Sequence, residues 1–266
     1  MKKIFSIFCM LVLVSTFVEA QYLYGNLGFV TAKQSSTSFE NFFGSYNSLN
    51  ASSLSVPFDA TWPAAHGIEN YYGLAVRKNE GFGGACDLLT GWTGTTAKST
   101  ATYKNGETRN LKLHMSDWTS LIGVGAGSNK FFVEVTGGAD IRFSTLYSSY
   151  TFLDGTESYG TDHKLNGIYS SLRAMGVYGF MTGIHPIDNV AIVFKGTKIL
   201  NPTSDPSSGY LSSYDDLNEW KNDNSEYFPQ DMVDYVNNPD NYFNNAYIDM
   251  HGWQLSLSVC FALPLY

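Results

Sequence analysis

The chain has 266 residues, of which 15% are aromatic and 15% are charged, and its formal net charge is −8. The chain is acidic and has no basic stripe that would neutralise phosphates, so no nucleic acid is expected as a partner. High Tyr, Phe and Gly content combined with low charge is instead typical of a β-rich protein with aromatic girdles.

The first twenty residues have the pattern of an export signal. Lys2 and Lys3 form a short basic region, residues 4–14 are almost wholly apolar, and the run ending at Ala20 offers a small-residue cleavage site. The apolar stretch is too short to span a bilayer as a helix. We therefore predict a signal peptide over residues 1–20 and a single mature domain over residues 21–266.

Eight stretches of the remaining chain have strand character, with apolar residues alternating with small or polar ones. In chain order they are Tyr22–Thr31, Asn70–Arg77, Gly84–Tyr103, Arg109–Val124, Lys130–Phe152, Ile168–Gly183, Val190–Leu200 and Tyr247–Leu263. In the fourth stretch, Leu111 and Met115 have one phase but Trp118 and Ile122 have the other. That change of phase predicts a β-bulge near Ser116.

The fifth and last stretches alternate most clearly. Their apolar phase consists of Val133, Val135, Ile141, Phe143, Leu255, Leu257, Val259 and Phe261. The connections alternate as well, because short turns over residues 78–83, 125–129 and 184–189 contrast with long segments over residues 33–69 and 201–246. Short turns at one end and long loops at the other are typical of a transmembrane barrel.

On this alternation and rhythm, the chain resembles small Gram-negative outer-membrane β-barrel proteins of the OmpA-transmembrane and OmpX type. The resemblance implies an all-β fold: an eight-stranded antiparallel up-and-down transmembrane β-barrel with long extracellular loops. It also implies a place in the outer membrane, among its lipid and lipopolysaccharide, with both termini periplasmic. Such architectural likeness says little about activity.

If the apolar phase faces lipid, the opposite phase collects charged side chains inside the barrel. The candidates for a buried ion-pair network are Arg77, Asp87, Glu134, Asp140, Arg142 and Arg173, with Asp117 and Lys195 as further members. An eight-stranded barrel is filled by its side chains, and buried charges must pair. A plugged, satisfied interior is therefore favoured over an ion path.

Two pairings are predicted for this network. Arg77 and Asp87 lie symmetrically about the turn near Phe82, so they are expected to meet across that hairpin. We expect the Arg142 guanidinium to pair with one of the nearby carboxylates on its own strand, which are Glu134 and Asp140.

The long segment 201–246 carries nine acids, one base and eight aromatic residues. Disordered segments are poor in aromatics, so we expect it to fold as a cap above the barrel. Its candidate contact residues for a partner are Asp215, Asp216, Glu219, Trp220, Asp231 and Asp234. Carboxylate oxygens there suit Ca²⁺, although no Ca²⁺-loop spacing is present and a solvated acidic surface is the simpler interpretation. No other cofactor is expected.

The motifs of common enzymes are missing: there is no Gly-x-Ser-x-Gly, P-loop or His-Glu-x-x-His. His114 and Ser116 have the spacing of a lipid A deacylase pair, but no orienting acid accompanies them. Cys86 and Cys260 fall on opposite faces, so a disulfide is not expected.

We therefore predict a non-enzymatic outer-membrane barrel with a surface role in binding, adhesion or envelope integrity, or a subunit of an envelope complex. Its ligand or envelope partner is not identified by the sequence. Three alternatives stay open: a narrow pore, a lipid-modifying enzyme, and a soluble exported barrel that binds a small apolar ligand.

Overall fold

A computed structural model describes residues 20–77, 81–158, 167–200, 212–213 and 250–265. Most of them belong to eight antiparallel strands. These are β1 (Ala20–Ser35), β2 (Ala65–Arg77), β3 (Gly83–Tyr103), β4 (Thr108–Gly127), β5 (Phe131–Thr151), β6 (Gly167–Ile187), β7 (Val190–Ile199) and β8 (His251–Pro264). Residues 1–19 lie outside the described part of the chain, so the signal peptide stays a prediction.

The eight strands close into an up-and-down barrel. Each strand pairs with its neighbour in sequence, and β1 pairs with β8 from Tyr22 opposite Pro264 to Ser35 opposite His251. A closed ring leaves no strand edge to be satisfied by another chain. The eight-stranded all-β barrel predicted from the sequence is confirmed, with strand bounds that differ by a few residues.

The strands are steeply tilted. Successive cross-strand partners of Lys33, followed once around the ring through Trp253, Lys198 and the other strands, lead back to β1 at Leu23. Leu23 lies ten residues before Lys33 in the sequence. A displacement of this size around eight strands corresponds to a tilt of about 40° from the barrel axis. We call the end that holds Ala20 and Pro264 the lower end and the opposite end the upper end.

Every strand presents large apolar side chains outward. Examples taken from β1 to β8 in order are Leu27, Ile68, Leu88, Ile122, Val135, Phe180, Phe194 and Leu257, all of which are exposed. We call this surface the outer belt. The outward residues predicted on the fifth and last strands all belong to it, with Val135 64% and Phe261 63% exposed.

The predicted β-bulge near Ser116 is wrong. The pairing of β4 with β3 and with β5 runs without a break past Ser116. Leu111, Leu113 and Met115 point inward, in the same phase as Asp117 and Leu121. The apolar phase changes along this strand because its outer face is apolar in the lower part, at Trp118 and Ile122, whereas its inner face is apolar in the upper part, where the plug packs.

The apolar upper interior is filled by the segment between β1 and β2. Its helix α1 (Thr37–Leu49) begins at the cap residue Ser36, whose Oγ accepts a hydrogen bond from the Phe39 backbone N–H. From α1, Phe39, Phe43 and Tyr46 pack against residues of the segment that follows the helix and against the inner faces of β3 to β5. Those contacting residues include Phe58, Trp62, Ala97, Leu111, Leu113 and Met115. We call residues 36–64 the plug.

The plug is also tied to the strands by polar contacts. The Tyr46 and Tyr103 hydroxyls are hydrogen-bonded, and Lys33 Nζ donates to the Trp62 carbonyl oxygen at 3.0 Å. A short strand, Leu54–Val56, adds to the upper end of β3, as Glu157–Ser158 adds to β5 and Ser212–Ser213 to β6. The upper mouth is therefore covered by folded chain.

Three local features complete the description of the chain. The tight turn between β3 and β4 is built on Asn105 and Gly106, and Gly106 has φ +95°, which favours glycine. Cys86 lies on the outer face and Cys260 is buried on the inner face, and both are free thiols. None of the described helices is long and apolar enough to cross a membrane.

The plug's anchoring residue can be tested with Phe43→Ala. Phe43 is fully buried among Phe39, Phe58 and Trp62, with ring centroids 5.2 to 6.3 Å from its own. We expect its truncation to destabilise docking of the plug by about 3–5 kcal/mol, because a large cavity is left. Limited proteolysis of residues 36–64 should then cut faster.

The matched control is Gly44→Ala, on the same helix, where an added Cβ meets nothing within 4 Å. This variant should gain about 0.5–1 kcal/mol from lower chain entropy. Equal cutting rates in the two variants would contradict the dependence of the plug on this aromatic cluster.

Candidate functional site

The lower interior is organised around Arg77. Its Nη2 donates to Asp87 Oδ1 at 2.7 Å and Oδ2 at 2.6 Å, and it lies 3.3 Å from Glu134 Oε1. The Arg77 guanidinium carbon also lies 3.5 Å from the centre of the Phe132 ring. This is the hairpin pairing expected from the sequence, with a second carboxylate added from β5.

Two glycines make room for this lower cluster. A Cβ on Gly123 would lie 2.3 Å from Glu134 Oε2, and a Cβ on Gly183 would lie 2.4 Å from a carbon of the Phe132 ring. Any larger residue at either position would push the carboxylate or the ring away from Arg77. The glycines of the inner face are thus part of the packing of the charged interior.

The middle of the barrel holds a second ion pair. Lys195 Nζ lies 2.9 Å from Glu69 Oε2 and 3.4 Å from the centre of the Tyr71 ring. Nearby, Asp140 Oδ1 accepts a hydrogen bond from the Thr119 hydroxyl at 2.6 Å. Glu69 was not predicted, although it shares the phase of Tyr71 and Arg77. Glu69 was missed because the second strand begins at Ala65, five residues before the Asn70 start that the sequence pattern indicated.

Arg142 forms a crossbar in the upper part of the polar interior. Its Nε and Nη2 donate to the two carboxylate oxygens of Asp117 at 2.6 and 2.8 Å. Its Nη1 donates to Gln34 Oε1 at 2.8 Å and to the Met250 carbonyl oxygen at 2.9 Å. Gln254 Nε2 donates to the same Asp117 carboxylate at 2.8 Å. One guanidinium therefore joins groups from β1, β4, β5 and the start of β8.

The predicted partners of Arg142 were wrong. Glu134 contacts Arg77, and Asp140 bonds to Thr119, whereas Arg142 binds Asp117. The physical reason is that neighbours on one strand at spacing two or eight do not meet as directly as residues on adjacent strands. Arg173 is buried and lies directly opposite Arg142 on β6.

The possible catalytic pair is not assembled in this arrangement. The nitrogen His114 Nδ1 is hydrogen-bonded to the Thr96 hydroxyl at 3.0 Å, while Ser116 Oγ accepts from Trp92 Nε1 at 2.5 Å. Both residues lie on the outer face of β4. Over the ranges that the structure describes, no three His, Cys, Asp or Glu side chains are grouped to hold a metal ion.

The predicted acidic contact residues, Asp215, Asp216, Glu219, Trp220, Asp231 and Asp234, lie outside the described residues. Their role stays a prediction. Outside the strands, the β5–β6 connection shows one clear electrostatic effect: the Thr156 backbone N–H, donating at 2.8 Å, lowers the pKa of the Asp154 carboxyl.

Comparison with known proteins adds little. No family model matches the chain, and no curated protein matches it. One solved structure with a similar fold is Ail, the attachment invasion locus protein of Yersinia pestis, in complex with the heparin analogue sucrose octasulfate. It has 8% sequence identity over 92% of this chain and 99% of that chain, with a TM-score of 0.39. A likeness this weak carries no functional inference.

The crossbar can be tested with Arg142→Met. This change leaves the Asp117 carboxylate buried without its cation, so we expect the free energy of unfolding to fall by about 3–5 kcal/mol. Adding Asp117→Leu removes the stranded charge and should recover most of the loss. The measurement is denaturant unfolding of the refolded barrel.

Lys130→Met is the control, because Lys130 is an exposed base in the β4–β5 turn. It should change stability by no more than about 0.5 kcal/mol. A double variant as unstable as Arg142→Met alone would show that the ion pair is not the source of the loss.

Proposed function

We propose that this chain is a non-enzymatic barrel of the Gram-negative outer membrane, with its lower end in the periplasm and its upper end at the cell surface. The observation that carries the proposal is that the closed ring has its apolar face outside and its charged side chains inside, the reverse of a water-soluble barrel. The outer face is a continuous apolar belt, while Arg77, Arg142 and their carboxylates are buried inside. A lipid-facing barrel requires this arrangement.

The soluble alternative is weakened by the same observation. A soluble barrel that binds an apolar ligand needs an apolar interior and a hydrated exterior. Here the middle of the interior is occupied by Lys195, Glu69 and Asp140, and the exterior at that height is apolar. Exposure of such a belt to water would promote aggregation.

A role in conduction is disfavoured by the filled lumen. Arg142 joins opposite walls through Gln34, Asp117 and the Met250 carbonyl, and above it the plug packs its aromatic side chains against the inner wall. A barrel of eight strands has little interior space beyond its own side chains. We therefore favour a surface role over transport.

The surface role falls to the upper end. The plug and the upper ends of β3 to β5 lie at that end. The acidic segment 201–246 connects the end of β7 to the start of β8, and both of these strand ends are at the upper end as well. We propose that the acids of this segment contact a basic partner or a bridging cation, in adhesion, in envelope integrity or within an envelope complex. Its aromatic content supports a folded cap rather than a loose loop.

Membrane placement is tested by arginine substitutions at two depths on the outer face. Val259→Arg lies in the belt on β8, and we expect it to cost about 2–4 kcal/mol in a lipid bilayer because a charge replaces a lipid-facing side chain. Thr100→Arg, on the outer face of β3 above the belt, should cost about 0–1 kcal/mol. Urea unfolding from lipid vesicles measures both.

The proposal depends on that difference with depth. Equal costs for Val259→Arg and Thr100→Arg in vesicles would reject membrane insertion. A wild-type chain that folds and stays monomeric without detergent would do the same, and would favour the soluble barrel.

The closed lumen makes a separate prediction. Purified protein in planar bilayers should show no steady conductance of porin size, because the interior is filled from Arg77 to the plug. Reproducible open channels from pure protein would favour the narrow pore. A pore-forming porin reconstituted in the same bilayers is the positive control.

A further inference from the structure

The charges of the barrel are segregated by face and by sign. Among the described strand residues, the acids Glu69, Asp87, Asp117, Glu134 and Asp140 are all buried inside. The outer faces of the eight strands carry lysines instead, which are Lys33, Lys98, Lys112 and Lys198, and no carboxylate accompanies them in the described part of those strands. In a chain of net charge −8, an outer wall whose only permanent charges are positive requires an explanation.

Lys33, Lys98 and Lys112 lie toward the upper edge of the outer belt, among aromatic residues, and Lys198 lies lower on β7, below the exposed Leu200. Lys33 and Lys198 flank Trp253 as its direct partners on β1 and β7. On the β3–β4 side, Lys98 lies directly opposite Lys112, and Lys112 lies directly opposite Tyr147, with its Nζ 5.8 Å from the centre of the Tyr147 ring. Aromatic residues beside lysines are typical of the boundary between hydrocarbon and headgroups.

The height of the Lys98–Lys112 pair can be read from β5. Tyr147 lies in the same cross-strand row and follows Phe143, an exposed apolar residue of the belt, by four residues. At the tilt of this barrel, four residues correspond to about 10 Å along the barrel axis, and each step along the row from β5 to β4 to β3 descends by about 3 Å. Lys112 and Lys98 therefore lie about 7 and 4 Å above Phe143. In a bilayer whose hydrocarbon meets the belt, both lysines then lie in the headgroup layer, which is about 5–8 Å thick on each side, and their amines can turn away from the hydrocarbon.

The pair is unfavourable in the protein alone. Like charges on directly opposed residues destabilise a sheet, and the Cβ atoms of such residues are about 4.5–5.5 Å apart. In the described ranges, no carboxylate lies within ion-pair distance of Lys98 or Lys112. The acids of the strands are buried inside the barrel and cannot neutralise these two outward amines. An external anion placed between the two amines would remove the repulsion.

We propose that Lys98 and Lys112, with the Tyr147 ring beside them, bind a phosphate group of the phosphorylated glycolipid in the leaflet at the upper end. Lysine amines bind phosphate as point charges with several donors. This inference rests on the proposed function, because it requires the belt to be embedded in a bilayer. The ligand is therefore a membrane lipid, and not a soluble anion.

The test measures thermal unfolding of the full mature chain, followed by its heat-dependent gel mobility. The bilayers are phosphatidylcholine alone, phosphatidylcholine with diphosphorylated lipid A, and phosphatidylcholine with its dephosphorylated form. We expect diphosphorylated lipid A to raise the wild-type unfolding temperature by several degrees. The shift should disappear with the dephosphorylated lipid and at about 1 M salt, where the Debye length is about 3 Å.

The variants assign that shift to the proposed residues. Lys98→Gln/Lys112→Gln should lose most of it, and Lys98→Arg/Lys112→Arg should keep it. Lys130→Gln is the matched control, because it removes one exposed positive charge at the opposite end of the barrel. Lys98 and Lys112 are both exposed, so their variants are expected to fold normally, and each single Lys→Gln change should give an intermediate shift.

Each contrary result has its own meaning. A shift that is equal in wild type and in Lys98→Gln/Lys112→Gln overturns the inference while leaving the membrane barrel in place. The same shift produced by inorganic phosphate in plain phosphatidylcholine overturns the assignment to lipid. Failure of the wild type to insert into any of the bilayers overturns the proposed function and this inference together.

Discussion

The contact between Arg142 and Asp117 constrains the whole barrel. Arg142 is 2% exposed and makes four hydrogen bonds, to Asp117, Gln34 and the Met250 carbonyl. A guanidinium in such a place is stable only when its carboxylate partner and its other acceptors are held in position. Because those acceptors come from β1, β4 and the start of β8, the contact holds distant walls of the ring at a fixed separation.

The interior is stabilised differently below and above this crossbar. Below it, Arg77 and Lys195 are neutralised by acids from neighbouring strands and covered by the rings of Phe132 and Tyr71. Above it, the inner wall becomes apolar, and the plug fills the space through Phe43 and its neighbours. The described side chains therefore fill the lumen, with paired charges and their covering rings below the crossbar and the plug above it.

The distribution of charge differs between the inner and outer faces of the barrel. Acids gathered inside leave the outer wall free of negative charge, which suits a position among anionic lipids. Of the outward lysines, Lys33 holds the plug through the Trp62 carbonyl oxygen, whereas Lys98 and Lys112 face outward side by side. In the proposed membrane position, this division gives an acidic protein a basic rim above its apolar belt.

Much of this architecture was predictable from local patterns. The eight strands and their outward faces follow from a period of two, as in the run from Val133 to Phe143, because successive side chains of a strand point to opposite faces. The pairing of Arg77 with Asp87 was also predictable, since both lie on the inner face close to one hairpin turn, although the register makes them a diagonal pair, with Arg77 directly opposite Ala85. The acidic character of segment 201–246 is likewise a property of the sequence alone.

Other features were decided only by the tertiary structure. Arg142 meets Asp117 because the register of β4 and β5 places the two residues directly opposite each other. Its contact with Gln34 on β1, 108 residues away, depends on closure of the ring, because the ten-residue displacement sets which distant side chains share a height. Leu111 and Met115 mimicked a β-bulge because the plug, a distant segment, makes their part of the lumen apolar. Local sequence fixes the face on which a side chain lies, whereas register and closure determine what it meets there.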